Sequence, residues 1–154
     1  MRSIFTLLCV SYLIYGCCAS RSGPVNKDMS QGISGFVKEI SGNQMPSPGV
    51  PAAEPRGIRA MVYVFAPTSL EQVERVEDSP FYTSIHTSLV DSVESDINGK
   101  FSLNLPPGDY SLFTKVEGRF YSNSFNEKNM IHPVTVEPNK HTEVNITVSA
   151  KAVY

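Results

Sequence analysis

The sequence predicts an all-β fold in which two sheets pack face to face as a sandwich. Short apolar stretches recur along the chain, several of them with alternating polar residues, and turns rich in Gly, Pro and Asn separate them. At most one short segment has a helical pattern. About seven amphipathic strands cannot bury their apolar faces in one flat sheet, so they must form two packed sheets or a closed barrel.

Composition indicates one globular domain behind a targeting segment. The chain has 154 residues, of which 41% are hydrophobic and 18% charged. Its net charge is −2, and its Lys and Arg form no run or stripe, so we expect no nucleic-acid partner. Cys9, Cys17 and Cys18 are the only cysteines and all precede the predicted domain, which excludes a disulfide framework or cysteine-rich zinc site there.

The N-terminus has the pattern of a secretion signal. Arg2 precedes an apolar run from Ile4 to Ile14, which is too short to span a bilayer. The residues that follow, Ile14-Tyr15-Gly16-Cys17, resemble the lipobox of bacterial lipoproteins, in which the Cys is lipidated and the chain is cut before it. Tyr15 departs from the small residue usual at its position.

We therefore predict a signal peptide over 1–16, lipid attachment at Cys17 and a flexible tether over 17–30. The tether is small, polar and contains Pro and Gly. Ordinary signal cleavage after Ala19 and a retained anchor helix are the alternatives.

The predicted domain spans 31–150. Its predicted strands are Ile33–Ile40, Arg59–Ala66, Phe81–Asp96, Phe101–Leu105, Tyr110–Thr114, Ile131–Val136 and Glu143–Ser149. Arg59–Ala66 is apolar at nearly every position, which favours a central strand covered on both faces. A Pro- and Gly-rich surface loop is expected over 41–58.

Three connections have specific signals. Asp96-Ile97-Asn98-Gly99 predicts a hairpin turn, since Asn and Gly tolerate positive φ. Pro106-Pro107-Gly108 predicts a tight connection. Residues 67–80 predict a short helix, with Ser69 and Gln72 as a capping box.

Residues Ser95 to Leu112 (SDINGKFSLNLPPGDYSL) carry a family resemblance. An acidic residue and Gly turn, an alternating strand, and then Pro-Gly-x-Tyr resemble the carboxypeptidase regulatory-like domain. Gly35-Phe36-Val37 matches that family's first strand, and the resemblance covers 31–150. It implies a transthyretin-like (prealbumin-like) Greek-key sandwich. The combination with a lipobox is similar to small envelope lipoproteins common in Bacteroidetes.

The resemblance implies no catalytic activity and no cofactor. None of His86, His132 and His141 is followed by Glu three residues later, so the zinc motif of the metallocarboxypeptidases is absent. The C-terminal Lys-Ala-Val-Tyr differs from the Tyr-Arg-Gly-Ser ending of transthyretin-like hydroxyisourate hydrolases. The sequence also has no G-x-S-x-G or S-x-x-K nucleophile motif.

Two kinds of metal site can be considered from the sequence, a calcium loop and a site formed by the histidines. Residues 94–99 resemble the start of a calcium loop, but position twelve is Leu105 where a bidentate Glu is needed. The three histidines are far apart in sequence, and nothing in their spacing indicates a metal site. We therefore predict no metal and interpret 94–99 as a turn.

The most promising ligand surface lies around 118–126. Its candidate contact residues, together with two more aromatic residues earlier in the chain, are Arg119, Phe120, Tyr121, Phe125, Phe81 and Tyr82. Aromatic rings beside Arg and Asn can stack on a sugar or hold a peptide. The alternative is that Phe120 or Tyr121 closes the end of the sandwich. Phe113, opposite Tyr110 and Leu112, is either an interface residue or a cover for the second sheet face.

The function expected from these features is a non-enzymatic, lipid-anchored structural or protein-interaction module of the cell envelope. Its N-terminal lipid would bind a membrane, expected to be the outer membrane, on a face that the sequence leaves open. A glycan- or peptide-binding module that uses the loops around 118–126 is the alternative. The partner would then be an envelope protein or a glycan.

Overall fold

The computed structural model describes residues 31–45, 49 and 54–153. Its strands are β1 (Gly32–Asn43), β2 (Arg56–Gly57), β3 (Met61–Phe65), β4 (Val73–Arg75), β5 (Phe81–Ile85), β6 (Leu89–Glu94), β7 (Lys100–Asn104), β8 (Gly108–Val116), β9 (Arg119–Tyr121), β10 (Pro133–Val136) and β11 (His141–Val153). The predicted signal peptide, Cys17 and tether lie outside the described residues.

The strands form two sheets that pack as a sandwich, so the predicted all-β, two-sheet fold is confirmed. In the small sheet, β11 pairs with one side of β1, and β2 and β7 pair with its other side. The large sheet has the order β4-β5-β9-β8-β3-β6, and β10 lies next to β9 along the same side of β8. Within the described residues, six strands pair on one side only and are therefore edges: β2, β4, β6, β7, β10 and β11.

The first and last strands pair in parallel over almost their whole length. Gly32 lies opposite His141 and Asn43 opposite Val153. The register shifts between Glu39 and Ser41, which places a bulge in β11. This pairing makes β1 the centre of the small sheet.

Alternating residues of both sheets fill the space between them, as the pleat of a strand requires. The buried apolar residues of this inter-sheet core are Ile33, Val37, Val62, Val64, Phe101, Leu105, Tyr110, Leu112, Tyr121, Val134, Val136, Val144, Ile146 and Val148. They come from both sheets, and many are fully buried. The sandwich interior is consequently an apolar packing core.

A second apolar cluster covers the outer face of the large sheet. Phe65, Tyr82, Phe113 and Ile131 are buried there, and the 69–76 segment contributes side chains that pack against them. On β3, Val62 faces the inter-sheet core while Phe65 faces this outer cluster. The predicted central strand with two covered faces is therefore confirmed, and Phe113 covers the second face.

The helix predicted over 67–80 is wrong. Only a 3-10 turn forms, at Leu70–Gln72, and β4 follows at once. The Ser69 N–H donates to Gln72 Oε1 at 3.0 Å, so the capping signal operates locally. The next residues instead pair with β5, because tertiary pairing outweighs a weak helix propensity.

The predicted strand over 81–96 is divided. β5 joins β4 and β9, whereas β6 joins β3 at the opposite edge of the large sheet. Short pieces of this kind raise the strand number from about seven to eleven within the described residues.

The turn predicted at 96–99 forms but does not close a hairpin, because β6 belongs to the large sheet and β7 to the small one. The turn packs on β1, where the Val37 N–H donates to the Gly99 carbonyl at 2.7 Å. Gly99 has φ +82°, and a Cβ there would lie 2.1 Å from the Val37 oxygen. Only Gly fits this crossing.

Candidate functional site

The predicted ligand residues of β9 point to opposite faces of the large sheet. Glu117 and Gly118 have φ of 51° and 81° and form a two-residue turn between β8 and β9. Successive strand residues alternate in direction, so Phe120 packs with the outer cluster and Tyr121 with the inter-sheet core. The two rings cannot form one stacking platform.

The same division holds on β5. Phe81 packs against the inter-sheet core, where its ring lies 5.3 Å from that of Tyr121. Tyr82 packs in the outer cluster, 5.6 Å from the Phe113 ring, and its hydroxyl donates to the Ser122 carbonyl. Burial raises the pKa of Tyr82 because the phenolate would lose its hydration.

Two predicted contact residues are therefore structural. Tyr82 and Tyr121 are each 1% exposed, which leaves no ring surface for a ligand. The prediction that they belong to a ligand surface is wrong, because the edge-to-face packing of neighbouring aromatic rings buries them. Sequence spacing alone did not reveal that the outer face of the sheet is also covered.

Cationic side chains lie over the rings of Phe81 and Phe120, the two candidate residues that are partly buried. The Arg119 guanidinium lies 4.6 Å from the centre of the Phe81 ring, and the Lys115 ammonium lies 5.5 Å from that of Phe120. These two pairs lie on opposite faces of the sheet. They do not form a continuous surface.

Phe125 is separate from the other candidates and remains exposed. It forms an isolated bridge with Ile131, and 54% of its surface is accessible. The turn after it is held by Asn126, whose Oδ1 accepts hydrogen bonds from the N–H groups of Lys128 and Met130, each at 3.0 Å. Phe125 is thus an apolar ring presented on an ordered turn.

Phe125 lies at a groove between the edges of the two sheets, which we call the β10–β11 groove. Its volume is about 530 Å³. Its lining residues are Ser124, Phe125, Asn126, His132, Pro133, Val134, Thr135, Thr142, Glu143, Val144 and Asn145. The Thr142 hydroxyl donates to the Thr135 carbonyl at 2.7 Å and links β11 to β10 within the groove.

His132 has an unusual backbone conformation in this groove. Its φ is 36°, in the left-handed region, and two hydrogen bonds hold it there: its N–H donates to Ser124 O at 2.8 Å, and its carbonyl accepts from the Leu112 N–H at 3.2 Å. Burial lowers the pKa of the imidazole because the cation would be poorly hydrated. Neither ring nitrogen is hydrogen-bonded to any residue within the described ranges. The structure thus gives this neutral ring an unused donor and an unused acceptor.

In the 94–99 turn, which resembles the start of a calcium loop, the Asp96 carboxylate is hydrogen-bonded to the backbone of the turn itself. Asp96 Oδ1 accepts hydrogen bonds from the N–H groups of Asn98 at 2.8 Å and Lys100 at 2.9 Å. His86 lies 3.5 Å from Glu74, whereas His132 lines the groove. Among residues 31–45, 49 and 54–153, no three His, Cys, Asp or Glu side chains are grouped as metal ligands.

Sequence reasoning did not identify the groove, although Phe125 was among its candidates. His132, Glu143 and Asn145 line the same groove as Phe125 only because β10 and β11 become neighbouring edges of different sheets. The His132-Pro133 dipeptide was the available signal, since Pro favours an edge position.

The fold and the groove define the chain as an all-β, two-sheet sandwich with a polar groove at one open side. Comparisons with protein-family models, curated proteins and solved structures give no match. In the part of the chain that the structure describes, no helix has the length and apolar character needed to cross a membrane.

Proposed function

We propose that the chain is a lipid-anchored protein of a bacterial cell envelope whose β-sandwich acts as a non-enzymatic structural or interaction module. The observation that carries this proposal is the apolar packing of the inter-sheet core, with 14 buried apolar residues in one cluster. Catalytic sites need convergent ionisable groups in a cleft. In the part of the chain that the structure describes, His132 is the histidine that lines the groove, and burial lowers its pKa.

The anchor part of the proposal rests on Ile14-Tyr15-Gly16-Cys17. Acyl chains on Cys17 would insert into one leaflet, and several chains together hold a protein stably on a membrane. The sandwich would then be displayed beyond a tether of small and polar residues. We place the anchor in the outer membrane.

Membership of the carboxypeptidase regulatory-like family is part of the same proposal. The residues that suggest it have structural roles: Asp96 orders its turn, Gly99 permits the crossing over β1, and the Tyr110 hydroxyl donates to the Pro106 carbonyl at 2.9 Å. A family defined by such residues shares a fold and does not thereby share an activity.

Intact mass of the membrane-extracted chain tests the anchor. We expect a chain that begins at Cys17 and carries acyl groups on it, and we expect Cys17→Ser to abolish the acylation. Cys18→Ser is the matched control and should keep both the lipid and the membrane association. An unmodified Cys17, or a chain that begins at Ser20, would contradict the proposal.

A ligand-binding role is the second candidate. The specific observation in its favour is the exposed Phe125 ring beside polar side chains of the β10–β11 groove that have no hydrogen-bond partner among the described residues. Of the segment 118–126, residues 124–126 line this groove, so we expect the binding surface there and not along the whole segment.

A further inference from the structure

We propose that the β10–β11 groove is a saccharide-binding site, a proposal that deepens and rests on the interaction role proposed above. The groove volume of about 530 Å³ lies within the roughly 300–1,000 Å³ typical of small-ligand sites. The occupant we infer is a short, uncharged oligosaccharide. Three features of the groove support this ligand class.

The first feature is the Phe125 ring. It is the most exposed aromatic ring in the described part of the chain, at 54%. The bridge to Ile131 and the turn closed by Asn126 hold it in place before any ligand arrives. A flat apolar ring in a polar groove suits the apolar face of a pyranose, and it binds at a low entropic cost because few torsions must be fixed.

The second feature is a set of polar groups without partners. Glu143 and Asn145 flank Val144, whose side chain packs in the inter-sheet core, so both side chains lie on the outer face of the small sheet, where they line the rim of the groove. Together with His132, they have side chains that make no hydrogen bond to any residue in the described ranges. A carboxylate accepts, whereas an amide and a neutral imidazole both donate and accept, which matches hydroxyl groups that do both.

The third feature is the backbone of His132. A left-handed φ of 36° at a non-glycine residue is strained, and such residues concentrate at ligand sites. The hydrogen bonds to Ser124 and Leu112 maintain this conformation and hold the ring in the groove wall. These two backbone hydrogen bonds thereby hold the residue that presents a hydrogen-bonding ring at the groove.

The groove favours a saccharide over a peptide added as an extra strand. Pro133 begins β10 and lacks an N–H, and the Thr135 carbonyl already accepts from Thr142. The edge of β10 therefore offers little for a strand to pair with. The β11 edge is regular from His141 to Val148, so it is the edge on which strand addition has to be tested.

The test uses the full chain, isotope-labelled and purified in a zwitterionic detergent that has no sugar headgroup. The probes are cellohexaose, maltohexaose, chitohexaose and mannohexaose, followed by amide chemical shifts. A synthetic peptide of sequence EVNITV, a copy of 143–148, is the strand-addition probe. We expect at least one oligosaccharide to shift the amides of the groove residues in a saturable way.

Variants locate the site. Phe125→Ala should weaken oligosaccharide binding about tenfold or more, and Asn145→Ala by about three- to tenfold. The matched controls are Ile97→Ala, an apolar residue 75% exposed at a distant turn, and Asn104→Ala, an exposed strand asparagine on β7. Both controls should bind as the unchanged chain does. Unperturbed amide spectra confirm that each variant is folded.

The outcomes separate this inference from the proposed function. If none of the oligosaccharides shifts groove amides, or if only the peptide binds and protects the β11 amides, the saccharide site is refuted while the lipid anchor is unaffected. If an oligosaccharide binds in the groove and is cleaved, the site stands and the non-enzymatic role is refuted.

Discussion

The Tyr121 hydroxyl accepts a hydrogen bond from the Ser149 backbone N–H at 3.0 Å and lies 3.1 Å from the Ser149 hydroxyl. Tyr121 belongs to β9 of the large sheet, whereas Ser149 belongs to β11 of the small one, so this contact joins the two sheets. Ser149 lies in the bulge where the β1–β11 register shifts. The tyrosine thus satisfies a backbone donor where the ladder is interrupted.

Replacing this tyrosine should destabilise the fold without changing its shape. We expect Tyr121→Phe to lower the free energy of unfolding by about 1–3 kcal/mol, because the Ser149 N–H loses its partner. Urea denaturation measures the change. Tyr63→Phe is the control, since that hydroxyl makes no hydrogen bond to any residue the structure describes, and its effect should stay within about 0.5 kcal/mol. Equal losses in both variants would contradict this role of Tyr121.

The outer aromatic cluster gives a second prediction. Phe113 is 1% exposed and has edge-to-face contacts with Phe65 at 5.5 Å and Tyr82 at 5.6 Å. Phe113→Leu should therefore cost about 1–2 kcal/mol of unfolding free energy, because the smaller side chain loses ring contacts and leaves space. Phe125→Leu, the same change at an exposed ring, should be nearly neutral. A neutral effect of Phe113→Leu on the free energy of unfolding would contradict this packing role.

Two glycines with the same backbone angle provide a third test. Gly99 and Gly118 have φ of +82° and +81°, but a Cβ at Gly99 would lie 2.1 Å from the Val37 oxygen, whereas at Gly118 it would meet nothing within 4 Å. Gly118→Ala should cost about 1–2 kcal/mol, the usual penalty for left-handed backbone. Gly99→Ala should cost clearly more, because the 96–99 turn must also move off β1. Equal thermal shifts would show that the turn does not depend on this close approach.

The buried imidazole gives a pH prediction. Burial lowers the pKa of His132 below its usual 6.5, so below about pH 6.5 the unfolded chain takes up a proton that the folded chain does not. The folded state should accordingly lose stability as the pH falls through this range. His132→Gln should reduce this loss between about pH 7 and pH 5, as followed by urea midpoints, whereas His86→Gln at an exposed site should retain it. Parallel profiles for wild type and His132→Gln would refute the assignment.

Local periodicity was enough to predict much of the fold. The alternation of Phe101 and Leu105 with polar residues identified β7, and the apolar run around Val62 and Val64 identified a central strand. The helix over 67–80 failed because its outcome depended on pairing with β5, a contact that local propensity does not contain.

The candidate site was less predictable for the same reason. The opposite directions of Phe120 and Tyr121 follow from strand geometry once β9 is known. The presence of Phe125 and Glu143 at one groove, however, depends on which strands become edges, and this is decided by the assembly of the whole sandwich.

The parallel pairing of β1 and β11 also has a mechanical consequence. The chain enters the small sheet at Gly32 and leaves it at Val153, at opposite ends of a strand of 12 residues, about 40 Å apart. Tension between these two points acts along the strands, so the hydrogen bonds of the ladder are loaded in shear and break together, not one after another. Resistance to such tension is set by the rate of forced unfolding. A sandwich tethered at one end and held at the other would therefore behave as a stiff spacer that resists extension.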